Sequence, residues 1–229
     1  MANGGIIAVG DSITNACSVD LIVDGVAPRS WVQCVAAAVG EPLTVYAKSG
    51  APASQIRAML PEMPERYSLA LVYVGVNNVI SWRHWRRDDL AKELTAILTT
   101  VSKCADRVAV MQIPDTLGQS GALIPYGPFL KWRIRRAQQI VTNTTARTGA
   151  TLIAAPALTG DRVWIDGVHP TSTGHRALAD ATCATLGLPA VPDAAAKPRP
   201  DYASWRRSAR ARFRLRQPAR GIGVWVLGH

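Results

Sequence analysis

Three kinds of side chain that could act together on an acyl carbonyl stand far apart in this chain. The run "GDSIT" offers the hydroxyl of Ser12, and "DGVHP" sets Asp166 three residues before His169. Gly-Asp-Ser is also a good turn and helix start, because Asp and Ser side chains cap backbone N–H groups. The two readings part on whether the chain supplies a base, a group to orient it, and donors for an oxyanion. His169 can take the hydroxyl proton, and Asp166 can hold its imidazole in the required tautomer. Two further runs offer donors. Gly50 in "YAKSGAPAS" has a backbone N–H that a ligand can approach closely because no Cβ intrudes, and "GVNN" provides the Asn77 side chain. Every role is filled once, and the chemistry would be attack of Ser12 on an ester.

The elements that must bring these groups together can be read from apolar patterning. "GGIIAVG", "LTVYAKSG", "LALVYVGVNN", "RVAVMQIPD" and "ATLIAAP" read as short buried strands. Between them lie helical stretches: "SWVQCVAAAVG" with Ser30 as N-cap, "SQIRAMLPEM", "DDLAKELTAILTTVSKCA", "PFLKWRIRRAQQIVTNTTARTG" and "STGHRALADATCATLG". Strands alternating with helices predict an α/β protein with a parallel sheet covered on both faces. Ligands bind such sheets at the carboxyl ends of the strands, and Ser12, Gly50 and Asn77 all fall there.

Composition narrows the alternatives. The chain has 229 residues, 48% of them hydrophobic, enough for one sizeable core. No apolar run approaches a membrane span, and "MANGGIIAVG" reads as a first strand rather than a signal peptide, so a cytoplasmic protein is expected. Cys17, Cys34, Cys104 and Cys183 form no C-x-x-C pair and are expected as reduced thiols in or near the core. No metal-ligand spacing occurs, and no cofactor or metal is expected. The G-x-S-x-G elbow, G-x-G-x-x-G and the phosphate loop are all missing from the sequence.

Four blocks in order, on the expected strand ends, resemble the SGNH hydrolase superfamily, also called the GDSL esterase/lipase family, over residues 5 to about 188. The resemblance implies a three-layer α/β/α sandwich of flavodoxin-like type and a serine esterase or deacylase working through an acyl-enzyme. It makes Ser12 the nucleophile, His169 the base and Asp166 its orienter. It makes the oxyanion hole the Ser12 N–H, the Gly50 N–H and the Asn77 side chain. Asp11, Asn78, Trp82 and Val168, beside these groups, are then substrate-binding candidates for a small-molecule or sugar ester. The chain departs from the family twice: Asn78 stands where the third block usually carries Asp, and "VYAKSG" lacks the Asn usual shortly before its Gly. Both changes alter the hydrogen bonding that holds the loops.

Rival residues and functions frame this reading. His175 is expected as a partly exposed helix residue and His84 as a surface-loop histidine. "SWRHWRR", with Trp82 and Trp85, reads as a loop packed on the core or as an apolar, cationic rim for an acyl or sugar group. An acyltransferase would use the same groups with an alcohol or amine in place of water. After residue 189 a proline-containing linker leads into a basic extension, giving domains of 1–189 and 190–229. Between Lys197 and Arg220 nine cations face Asp201 alone, so this stretch holds +8 of the net +10. It is expected to remain a loosely docked appendage or to meet an acidic partner: a carrier protein, nucleic acid or anionic surface. A binding protein acting through that tail, with a vestigial site, is the alternative from another class.

Overall fold

The computed structural model of the chain describes residues 4–15, 29–61, 65–87, 89–118, 127–163 and 167–192. Five parallel strands form one sheet in the order β2-β1-β3-β4-β5. They are β1 (Ile6–Gly10), β2 (Leu43–Ala47), β3 (Tyr67–Tyr73), β4 (Ala105–Met111) and β5 (Thr151–Ile153). Beside them run α1 (Ser12–Asn15), α2 (Trp31–Val39), α3 (Ala53–Ala58), α4 (Val76–Ile80), α5 (Trp82–Arg87), α6 (Leu90–Ser102), α7 (Gly127–Thr148) and α8 (Ser172–Leu186). Helix α2 packs on α8, while α3 packs on α6 and α6 on α7. The expected sandwich of helices, sheet and helices is present.

The register explains the site's location. Val9 of β1 lies between Tyr46 of β2 and Val72 of β3, so the first strand is interior to the sheet and fully buried. Chain order reverses across β1: the first crossover leads to one side and the later ones to the other. A crevice therefore opens at the carboxyl end of β1, beside β3. Ser12 leaves β1 at that crevice.

Local signals set the helix ends where they were expected. The Ser30 side chain accepts from the Gln33 N–H, and the Gln33 side chain accepts from the Ser30 N–H, a reciprocal cap for α2. The Asp89 side chain accepts from the Lys92 N–H at the start of α6, and the Thr171 side chain from the Gly174 N–H at the start of α8. Cys34, Cys104 and Cys183 are buried and form no disulfide among the described residues; Cys17 lies outside the described residues.

Two expectations about the third block are corrected. β3 ends at Tyr73, and Asn77 sits in the helix α4 rather than at a strand end. Gly75 makes the break, with φ of 113°, where a side chain would also press on Leu90 and Ile113. "SWRHWRR" is not a loop but the helix α5. Of the extension expected at 190–229, only 190–192 are described.

Gly10 has a different reason to be glycine. A Cβ there would lie 2.7 Å from the Tyr73 carbonyl oxygen and collide with the Thr14 side chain. The Thr14 hydroxyl can turn away, but its Cβ and the β3 backbone are fixed by the main chain. Gly10→Ala should therefore cost about 1–3 kcal/mol, the usual range for overpacking, read as a shift in the urea midpoint at constant slope.

Candidate active site

Ser12 is the first residue of α1, so its N–H has no carbonyl one turn back to bond within that helix. Asp11 builds the turn before it. The Asp11 carbonyl accepts from the Thr14 and Asn15 N–H groups, and its Oδ1 accepts from the Ile13 N–H at 3.0 Å. The expected turn chemistry of Gly-Asp-Ser is real, and its effect is to hold the Ser12 side chain at the crevice.

His169 reaches Ser12 from 157 residues away, with Nε2 2.9 Å from Oγ. In the tautomer protonated at Nδ1, the hydroxyl donates to Nε2, as general-base activation requires. Three ties hold the turn that carries it. The Gly167 carbonyl accepts from the Gly118 N–H at 2.9 Å, Pro170 bridges to Val163, and the Thr171 N–H donates to the Arg162 carbonyl at 3.1 Å. Val168, within that turn, is buried. Asp166 lies outside the described residues.

The third block meets the first through side chains. Asn77 Nδ2 donates to Asp11 Oδ2 and to the Ala51 carbonyl, each at 3.2 Å. Asn78 turns the other way and is buried, its Oδ1 accepting from the Ala53 N–H at 3.0 Å. The second block is fixed on both sides. The Lys48 N–H donates to the Gly10 carbonyl, and the Ala51 N–H to the Lys48 carbonyl, closing a turn with Gly50 at φ of 72°. Gly50 is exposed, so its backbone is open to a ligand.

Asp11 is the group the sequence did not resolve. A substrate-binding candidate by its place beside Ser12, it is wholly buried and bonded to the Ile13 N–H and the Asn77 side chain. Burial raises its carboxyl from 3.8 to about 6, opposed first by the Ile13 N–H and then by the attraction of His169. Because the folded state holds this proton more tightly, stability falls as pH rises from 3.8 to about 6 and levels off above. The shift is worth about 3 kcal/mol. Asp11→Asn should lack that slope. Urea unfolding near pH 4 and near pH 7 should show the variant gaining roughly that much on the wild type at the higher pH.

The other two described histidines sit away from this role. His175 is buried rather than partly exposed; its Nδ1 accepts from the Trp31 N–H at 3.3 Å, joining α8 to α2. Burial lowers its pKa from 6.5 to about 3, so it is neutral near pH 7. His84 lies in α5, half-buried, with its backbone N–H on Ser81 Oγ. Trp82 begins α5 and packs on Phe129 of α7. Among the described residues no group of three or more His, Cys, Asp or Glu side chains is placed to hold a metal. No described helix is long and apolar enough to cross a membrane.

A GDSL-like lipase/acylhydrolase family profile matches residues 8–177. No curated protein matches the sequence. Among solved structures, the chain is similar to Axe2, an acetylxylan esterase from Geobacillus stearothermophilus, at 18% identity and a TM-score of 0.60. That match covers 84% of this chain and 100% of the other. It is also similar to a member of the lipolytic protein G-D-S-L family from Veillonella parvula, at 18% identity and a TM-score of 0.57. There the coverage is 80% of this chain and 98% of the other.

Proposed function

Because the chain belongs to the GDSL-like lipase/acylhydrolase family, we propose that it is a serine esterase cleaving an acyl ester of a small molecule or sugar through an acyl-enzyme. The observation that carries this reading is the 2.9 Å hydrogen bond between Ser12 Oγ and His169 Nε2. Similarity to an acetylxylan esterase adds support for a short acyl group on a sugar.

In this reading Ser12 Oγ attacks the acyl carbonyl as its proton passes to His169 Nε2. Asp166 orients the imidazole and stabilises its cation. The tetrahedral oxyanion is met by the Ser12 N–H, the Gly50 N–H and Asn77 Nδ2. At rest both Asn77 amide hydrogens point at protein oxygens. The neutral Ala51 carbonyl holds its hydrogen less strongly than the Asp11 carboxylate does, since charge-assisted bonds are about twice as strong. The hydrogen facing Ala51 is therefore the one that turns to the developing charge, while Asp11 keeps the amide in place. His169 then protonates the departing alcohol. Water, activated by the same imidazole, attacks the acyl-enzyme, releases the acid and restores the Ser12 hydroxyl.

Replacing that water by an alcohol gives the transferase alternative. Turnover of p-nitrophenyl esters of graded acyl length, with and without glycerol, separates the two. Free acid as the main product is expected. An acyl glycerol as the main product would make the enzyme a transferase, and p-nitrophenol release no faster than in buffer would overturn the proposal.

A further inference from the structure

Trp82, Phe129 and Trp132 are exposed at 40%, 41% and 54%, unusual for side chains of this size. Their rings also touch. Trp82 lies 5.2 Å from Phe129, Phe129 5.6 Å from Trp132, and Trp132 5.6 Å from Trp85. Single exposed apolar residues need no explanation, but a contiguous ridge of four aromatics marks an interaction surface. Beneath it the buried Arg133 guanidinium lies 5.0 Å from the Phe129 ring centre and 5.9 Å from that of Trp82, bracing both.

The two helices that carry the ridge bear cations only, with Asp89 following α5 at the start of α6. Arg83, Lys131, Arg135 and Arg136 are exposed around the ridge, and neither α5 nor α7 contains an acidic residue. Topology puts the ridge on the catalytic side. α5 follows Asn77 by a few residues, and α7, running back from β4 to β5, begins at the carboxyl end of the sheet.

We propose that this ridge docks the protein on an anionic lipid surface, on the side of the molecule where Ser12 opens. Tryptophan and phenylalanine settle at the headgroup level while flanking Lys and Arg meet the lipid charge. A second copy of the chain would bring the same cations together and be repelled. The rings are tilted by 49°, 32° and 68° to one another, so they offer a wedge rather than the parallel row on which successive nucleic-acid bases stack. The docking stands whichever ester Ser12 cleaves.

The test is sedimentation of the full chain with vesicles of phosphatidylcholine mixed with phosphatidylglycerol, and with phosphatidylcholine alone. Each cation near an anionic leaflet contributes about fivefold, so binding to the mixed vesicles should be at least about tenfold tighter and weaken with added salt. The double variant Phe129→Ser, Trp132→Ser should lose about tenfold or more, with an unchanged melting temperature and soluble-ester turnover. Charge reversal at Lys131→Glu and Arg135→Glu should weaken binding as well, leaving the rings intact. Equal binding to both vesicles would overturn the proposal. So would binding kept within about twofold by both double variants, which would assign the lipid to the cations between Lys197 and Arg220. Tighter binding to a single-stranded oligonucleotide, lost with the same substitutions, would also overturn it.

Discussion

Ser12→Ala should lose on the order of 10⁴-fold or more in kcat on p-nitrophenyl acetate while melting close to the wild type. The oxygen removed is the only atom of that side chain in the chemistry, and it lies at the edge of the crevice, on one hydrogen bond to His169. The turn that supports it is unaffected, because it is held by the Asp11 carbonyl and carboxylate rather than by the hydroxyl. Catalysis and folding should therefore separate cleanly at this position. Steady-state kinetics beside a thermal melt measures both. A variant retaining more than about a tenth of the wild-type kcat would place the nucleophile elsewhere.

The neighbouring asparagines should divide in a second way. Asn77→Ala removes a donor that matters most when charge develops on the substrate oxygen, so kcat should fall about 10²-fold or more with a smaller effect on KM. It also takes a hydrogen-bond donor from the buried Asp11 carboxylate, which should add some loss of stability. Asn78→Ala breaks a buried bond to the Ala53 N–H instead. It should cost about 1–3 kcal/mol in urea unfolding, while kcat stays within about tenfold. Equal kinetic losses at both positions, or a loss at 78 alone, would show that the oxyanion donor has been assigned to the wrong asparagine.

How far the sequence disclosed this arrangement depended on the kind of interaction. Strands and long helices were legible because apolar periodicity and caps are local: Ser30 before α2 and Asp89 before α6 declare themselves within four residues. The short helices α4 and α5 were not, since five or six residues hold too few repeats to show a period, and the equally short α3 was legible only in outline, ending several residues before the close of "SQIRAMLPEM". The break at Gly75 was read as a strand running on to the asparagines, because "LALVYVGVNN" keeps its apolar character past Tyr73. Among the site groups, Ser12, Gly50, Asn77 and His169 could be named from residue type and their order in four blocks. The burial of Asp11 and its bond to Asn77 depend on β1 and β3 being neighbours, a contact 66 residues apart. For His175 the obstacle was similar: its helix looks amphipathic, and only the packing of α8 on α2 buries the imidazole against Trp31. "SWRHWRR" offered Trp82 and Trp85 as a rim, but Phe129 and Trp132 join them only because α5 and α7 meet, which no local pattern shows.

The account's central claim is that Ser12 is a nucleophile activated by His169, and covalent labelling tests it most directly. A fluorophosphonate reacts with a serine only where the hydroxyl is activated and the phosphonyl oxygen is stabilised. Intact mass and peptide mapping of the treated protein should show one phosphonyl group, on the peptide containing Ser12. Labelling should be absent in Ser12→Ala and much slowed in His169→Ala. A label on any other residue, or none on protein whose melt shows it to be folded, would contradict the account.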